Sequence, residues 1–230
     1  YAIFQTSINS IPAVVDIYNN NLPPDDANID AFSPDFIKTG KCNGPNTFQR
    51  GEFCRYDYAA TVDLIPKLTR DSIFANGSLK LSNETTLFGE AVMSRFTNRA
   101  QYAAPAQPLT IFSMDPITKA KTVNQNYIGA YNTTVVPLLA ARGIKASDVT
   151  DAFFYFRAYD AGGRADEYKT DANHLVLGVD SNLMGWDYKA SYTHSENTQT
   201  DQAVSGYMSS NKFNALVKSG AFNPFIMNPN

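Results

Sequence analysis

Asn173-His174-Leu175-Val176-Leu177-Gly178-Val179-Asp180-Ser181-Asn182-Leu183-Met184-Gly185-Trp186-Asp187-Tyr188-Lys189-Ala190-Ser191-Tyr192-Thr193-His194-Ser195 reads as one β-hairpin. A strand turns successive side chains to opposite faces. In the second arm, Trp186, Tyr188, Ala190, Tyr192 and His194 share one face, and Asp187, Lys189, Ser191, Thr193 and Ser195 share the other. In the first arm, Leu175, Leu177 and Val179 oppose His174 and Asp180, with Val176 and Gly178 as exceptions. Ser181 to Gly185 carries the turn residues. Two structures fit this alternation. One is a half-buried sheet of a soluble sandwich, which the spacing alone favours. The other is a membrane-barrel hairpin with lipid on one side, a polar lumen on the other and Trp and Tyr near the interface.

Working outward, Ser72 to Leu81 alternates in the same way, with Ile73, Ala75, Leu79 and Leu81 on one face. Ser72, Asn76, Ser78 and Lys80 lie on the other, and Phe74 and Gly77 break the pattern. After the short turn Ser82-Asn83-Glu84-Thr85, Leu87, Ala91 and Met93 face away from Phe88, Glu90 and Ser94. The expected order is a hairpin over about 70–96, a long loop over about 97–150, a hairpin over about 151–204, and a loop with a short helix over about 205–230. Asp151 to Tyr159 is an aromatic strand candidate opening the second hairpin, and Ser210 to Gly220 has the cap, spacing and closing Gly of a helix. Ile11 to Tyr18 fits a short helix or a strand. Thr133 to Ala141 is a helix candidate weakened by Pro137 and by the following Gly143.

Charged residues make up 18% of the 230-residue chain, against about 25% in ordinary globular domains. Asn, Ser, Thr and Tyr supply the polarity instead. The net charge of −3 argues against a nucleic-acid partner. No apolar run approaches the roughly 20 residues of a membrane helix, which leaves barrel strands open. The chain opens on Tyr1-Ala2-Ile3-Phe4 and closes on Met227-Asn228-Pro229-Asn230, and it reads as a piece of a longer protein. Cys42 and Cys54 flank a turn-rich loop; the spacing favours a disulfide over two free thiols, and an oxidising compartment with it.

Signs of chemistry are sparse. No nucleophile elbow accompanies His174, His194, Asp171 or Glu196, so no catalytic residue is assigned and the chain is not expected to be an enzyme. Two His and two Cys make a His/Cys zinc site improbable, and Asp25-Asp26 and Asp166-Glu167 lack a calcium-loop spacing. No metal or cofactor is expected. Asn76, Asn83 and Asn132 open glycosylation sequons, which chance supplies readily in such a composition. Tyr102, Phe112, Tyr127 and Tyr131 in the long loop are candidates to stack on a ligand; the alternative, that they pack a small loop core, has the stronger claim.

A wider series of motifs changes the balance. Cys54-Arg55-Tyr56-Asp57-Tyr58, Asp63-Leu64-Ile65-Pro66 and Leu87-Phe88-Gly89-Glu90-Ala91 come first. Phe156-Arg157-Ala158-Tyr159-Asp160-Ala161-Gly162-Gly163-Arg164 and Gly185-Trp186-Asp187-Tyr188 follow, then Lys212-Phe213-Asn214-Ala215-Leu216 before Asn223-Pro224-Phe225. In order and spacing this resembles the barrel region of TonB-dependent outer-membrane receptors, over about residues 42–225. The resemblance implies a mainly β fold: antiparallel hairpins of a transmembrane β-barrel, with long irregular loops and short helices. It implies import of a scarce nutrient (siderophore, vitamin or carbohydrate) across the outer membrane of a Gram-negative bacterium. Its partners would be the ligand, outer-membrane lipid, and TonB acting through a parent protein's N-terminal box. Neither box nor plug domain is seen in these residues, and an isolated set of strands would self-associate through its edges. The alternative is a secreted β-sandwich that binds carbohydrate, with Tyr188 and Tyr192 inside a closed core.

Overall fold

The computed structural model describes residues 6–227, so both the opening Tyr1-Ala2-Ile3-Phe4 and the closing Asn228-Pro229-Asn230 lie outside the described residues. In chain order the elements are β1 (Thr6–Ser7), β2 (Val14–Tyr18), β3 (Asn28–Phe32), α1 (Pro34–Thr39), β4 (Thr47–Arg50), β5 (Phe53–Asp57), β6 (Lys67–Lys80) and β7 (Thr85–Tyr102). They continue with β8 (Ala106–Met114), β9 (Lys121–Val123), α2 (Ile128–Thr134), α3 (Val136–Ala141), β10 (Asp151–Arg157), β11 (Arg164–Leu183), β12 (Trp186–Ser205) and α4 (Ser210–Ser219). The fold is mainly β, with antiparallel sheets. The chain forms two compact units: residues 1–62, 102–164 and 205–230 make one, and 63–101 and 165–204 the other.

The first unit is built on a five-stranded sheet, β3-β2-β10-β8-β9. On β10, Ala152, Phe154 and Phe156 point into the core; Val15 of β2 lies opposite Phe154, and Ile17 opposite Ala152. Tyr127, Tyr131, Val135 and Leu139 from the helical segment, and Phe213 and Val217 from α4, complete that core. Phe154 meets Tyr127 at 5.0 Å and Phe225 at 5.3 Å between ring centroids. Helix α4 begins at Ser209, whose hydroxyl accepts from the Lys212 N–H, and ends at Gly220 in the left-handed region, as N-cap and C-cap preferences require. A second, three-stranded sheet, β1-β5-β4, carries the Cys42–Cys54 disulfide, with the two Cα atoms 5.4 Å apart.

Two arginines tie distant segments of this unit. Arg157 is buried; its Nη1 donates to the Ala104 carbonyl at 2.7 Å, its Nε to that of Asn9 at 3.3 Å, and its guanidinium lies over the Tyr56 ring. Arg142 donates to both carboxylate oxygens of Asp30 and reaches Glu52 at 2.6 Å. One phenol in the core is left over: the buried Tyr131 hydroxyl has no hydrogen-bond partner among the described residues. A buried donor without a partner costs about 1–3 kcal/mol. Tyr131→Phe removes that cost and keeps the ring packed on Phe112, so denaturant unfolding is expected to show a gain of about 1 kcal/mol in stability.

Two expectations are corrected here. Asp151–Arg157 does not open the second hairpin: β10 is the middle strand of the five-stranded sheet, and the hairpin starts at Arg164. Both faces of β10 carry aromatics, which hides its period, and its partner β2 is remote in sequence. The long stretch after Thr97 is not an irregular loop either. It holds β8, β9, α2 and α3, with β7 running on to Tyr102. Pro137 does not break a helix there, because it stands in the first turn of α3, where its missing N–H has no intrahelical partner to lose. Ile11 to Tyr18 resolves as the strand β2.

The second unit is a single four-stranded sheet, β12-β11-β7-β6. Each strand pairs with the next one in the chain order of this unit. The β6–β7 hairpin keeps a regular register from Lys67↔Arg99 to Lys80↔Thr86. β11 and β12 are joined by Met184-Gly185, with φ of 55° and 80°, the left-handed pair of a tight two-residue hairpin turn. Both tight turns close the same end of the sheet. The strand ends near Lys67, Tyr102, Arg164 and Ser205, where the chain passes to or from the other unit, all fall at the opposite end.

Candidate functional site

The second unit's sheet has two unlike faces, and the difference follows from strand parity. Thr85 meets Ser181, Arg95 meets Asp171, and the Asn182 N–H donates to the Glu84 carbonyl. These contacts align β7 with β11. His174 bonds to Ser195 at 2.7 Å, aligning β11 with β12. On one face this gathers Ile73, Ala75, Leu79 and Leu81 with Leu87, Ala91 and Met93, and then Leu175, Leu177 and Val179 with Trp186, Tyr188, Ala190 and Tyr192. The face is uncovered: Leu177 is 53%, Tyr188 53% and Tyr192 65% exposed. The second unit itself holds a single sheet and no second layer. The sandwich alternative needs these side chains inside a closed core, and they are outside one.

The apolar band has limits along the strands. It runs from the tight turns to Ile73, Met93 and Leu175. Beyond them the same face turns polar, with Asp71 opposite Arg95, and Arg95 donating to Asp171 at 2.7 Å. Ile73 to Leu81 covers roughly 26 Å of strand at about 3.3 Å per residue, or roughly 20 Å of membrane depth at a barrel strand's tilt of about 40°.

The opposite face carries Ser72, Asn76, Ser78 and Lys80, Glu90 and Ser94, His174 and Asp180, and Lys189, Ser191 and Thr193. Phe74, Val92 and Val176 lie on it as apolar exceptions, and Phe88 also lies here. Its ring covers Gly178 so closely that a Cβ on residue 178 would fall 2.2 Å from Phe88 Cζ. Glycine is what lets the ring lie flat on the backbone, and the Lys189 ammonium sits 5.1 Å from the ring centroid. This explains Gly178 as a break in the alternation and Phe88 as a ring on the polar face.

The four loop aromatics do not form a site. Phe112, Tyr127 and Tyr131 are each 3% exposed and packed in the first unit's core. The reading of these three as ligand contacts is corrected by that burial, and Tyr102, 41% exposed at the end of β7, is not among them. Tyr127 donates to Asn214 on α4, and Phe112 meets Tyr131 edge-on at 5.3 Å. His174 lies on β11, bonded to Ser195, and His194 lies on β12. No group of His, Cys, Asp or Glu suited to a metal ion occurs among the described residues.

What the sequence reading missed is a cavity of about 440 Å³ in the first unit, lined by Phe156, Tyr159, Asp160, Phe222, Pro45 and Pro224 among others. The signal was in plain view in Phe156 to Gly163, where two aromatics precede an acid and paired glycines. A smaller, more apolar cavity of about 250 Å³ adjoins it on the shared walls of Phe156, Asp160 and Phe222.

On the other face of the five-stranded sheet, the Tyr18 hydroxyl donates to Asp16 at 2.9 Å. Burial first, and then the Asp16 carboxylate, push the Tyr18 phenol up to about 12. An unfolded chain releases that proton near about pH 10. The folded state therefore gains stability from Tyr18 that is complete below pH 10 and is lost as pH rises to about 12. Alkaline unfolding followed by circular dichroism should show this loss, and Tyr18→Phe should make stability flatter across that window.

The chain matches no protein-family model and no curated protein sequence.

Proposed function

We propose that residues 63–101 and 165–204 are a wall segment of an outer-membrane β-barrel, in a receptor of the TonB-dependent kind. On this reading the apolar band meets acyl chains and the face with Ser78, Thr193 and Lys189 lines the lumen. The tight turns are the periplasmic ends, and the first unit is external-loop material that meets a scarce small nutrient. The edge strands β6 and β12 would pair with further strands of the barrel. TonB would act through another part of the parent protein.

The observation that carries this reading is the continuous apolar band left open on one face of a long, regular, four-stranded meander. A large exposed apolar patch marks contact with protein or membrane. Three further features favour lipid. The band ends in a charged row rather than a ragged edge. Trp186 and Tyr188 stand near its turn end, as interfacial aromatics do. The short connections lie at one end and the long ones at the other, which is the barrel asymmetry. Fractionation of cells expressing the parent gene tests the reading: the full-length product is expected with the outer membrane, and its recovery in the soluble fraction would contradict it.

A further inference from the structure

We infer that the cavity of about 440 Å³ in the first unit binds a small organic cation whose charge is clothed in carbon, such as a quaternary ammonium group. The cavity has a size usual for small-molecule sites, about 300–1,000 Å³. Its walls are chemically one-sided. Asp160 is the one charged residue among the described lining residues, and no lysine or arginine joins it. Among the described residues, no hydrogen bond or ion pair occupies its carboxylate. Phe156, Tyr159 and Phe222 supply aromatic surface, with Phe156 and Phe222 edge to face at 5.6 Å. The negative faces of such rings attract a cation, and the attraction grows as water leaves the site.

Other ligand classes fit the walls less well. An anion in this cavity would meet Asp160 and no cation, since Lys212 lines the adjoining cavity and not this one. A sugar is covered in hydroxyls, and the lining side chains offer only the Tyr159 hydroxyl and Asp160 as polar groups, so few side-chain hydrogen bonds would hold it. A neutral apolar molecule would make no use of the Asp160 carboxylate, which is exposed beside the cavity. An alkylated cation avoids all three problems, because it has one charge to pair and few or no donors to satisfy. Met227 on the wall can adjust to the alkyl groups.

Cation binding stands on the first unit alone. That the cation is the imported nutrient rests on the receptor reading, so a soluble parent protein that still binds it would overturn only that reading. The test uses the full chain and choline as the probe, set against its neutral isostere in which carbon replaces the ammonium nitrogen. In an NMR titration, choline is expected to shift the ring resonances of Tyr159 and Phe222 and to bind at least tenfold more tightly than the isostere. Asp160→Asn should weaken choline at least tenfold with an unchanged melting temperature, and Tyr159→Leu should weaken it as well. Equal affinity for choline and the isostere, stronger binding of methyl glucoside, or no shift at Tyr159 at millimolar choline would each overturn the proposal.

Discussion

Leu177→Arg is expected to destabilise the membrane-embedded parent protein by about 2–4 kcal/mol, the depth-dependent cost of an arginine on the lipid face near the bilayer midplane. Leu177 stands within the apolar band, with its Cδ2 only 3.2 Å from where a Cβ on Gly89 would be. The side chain is about half exposed on that face, and the band extends to either side along the strand. Thr193→Arg places the same side chain on the opposite face of the neighbouring strand, among Lys189, Ser191 and Ser195. It should cost well under about 1 kcal/mol, because lumen-facing substitutions tune selectivity more than stability. Urea unfolding of both variants in lipid vesicles separates the faces. The contrast between them is the informative quantity, since a merely fragile sheet would suffer from both.

Phe154→Ala is expected to cost the first unit about 3–5 kcal/mol, the range for truncating a fully buried aromatic. Phe154 is completely buried at the centre of β10 and lies between Tyr127 and Phe225. Those contacts join the sheet to the helical segment before α2 and to the chain end after α4, so the void cannot close by a shift of one neighbour. Domains have only about 5–15 kcal/mol of net stability, and this one change removes a large part of it. Phe153→Ala, on the half-buried reverse face against Tyr18, should cost less than half as much. Guanidinium unfolding of the two variants measures the difference. Equal costs would mean that the core lies on the other face of the sheet.

The hairpins were legible because their periodicity is local. Each arm of β12 and β6 shows its two faces within a few residues, and the turns Ser82–Thr85 and Met184-Gly185 carry the residues that tight turns need. Gly178 was legible as a break in the alternation, but its cause in Phe88 was not. The two residues compensate each other across two strands, and one strand's pattern cannot reveal a ring lying on its neighbour. The first unit was harder to read for the same reason on a larger scale. Phe153, Phe154, Tyr155 and Phe156 are aromatic on both faces of β10, and the partners that decide which face is core lie far away in β2 and α4. The Tyr127 and Tyr131 rings look identical in sequence whether they serve a ligand or a core. Only the closing of helices over the sheet decided for the core. The disulfide was legible because its loop is short and turn-rich, and Cys42 and Cys54 do form it.

The direct measurement is site-directed spin labelling of the parent protein in its membrane, one position at a time from His174 to Asp180. Collision with oxygen reports the acyl region, and collision with a water-soluble nickel complex reports water. Positions 175, 177 and 179 are expected to favour oxygen, and 174, 176, 178 and 180 to favour nickel, with the preference reversing at every residue. Uniform behaviour along the strand, or positions 175, 177 and 179 shielded from both reagents, would contradict a lipid-facing band.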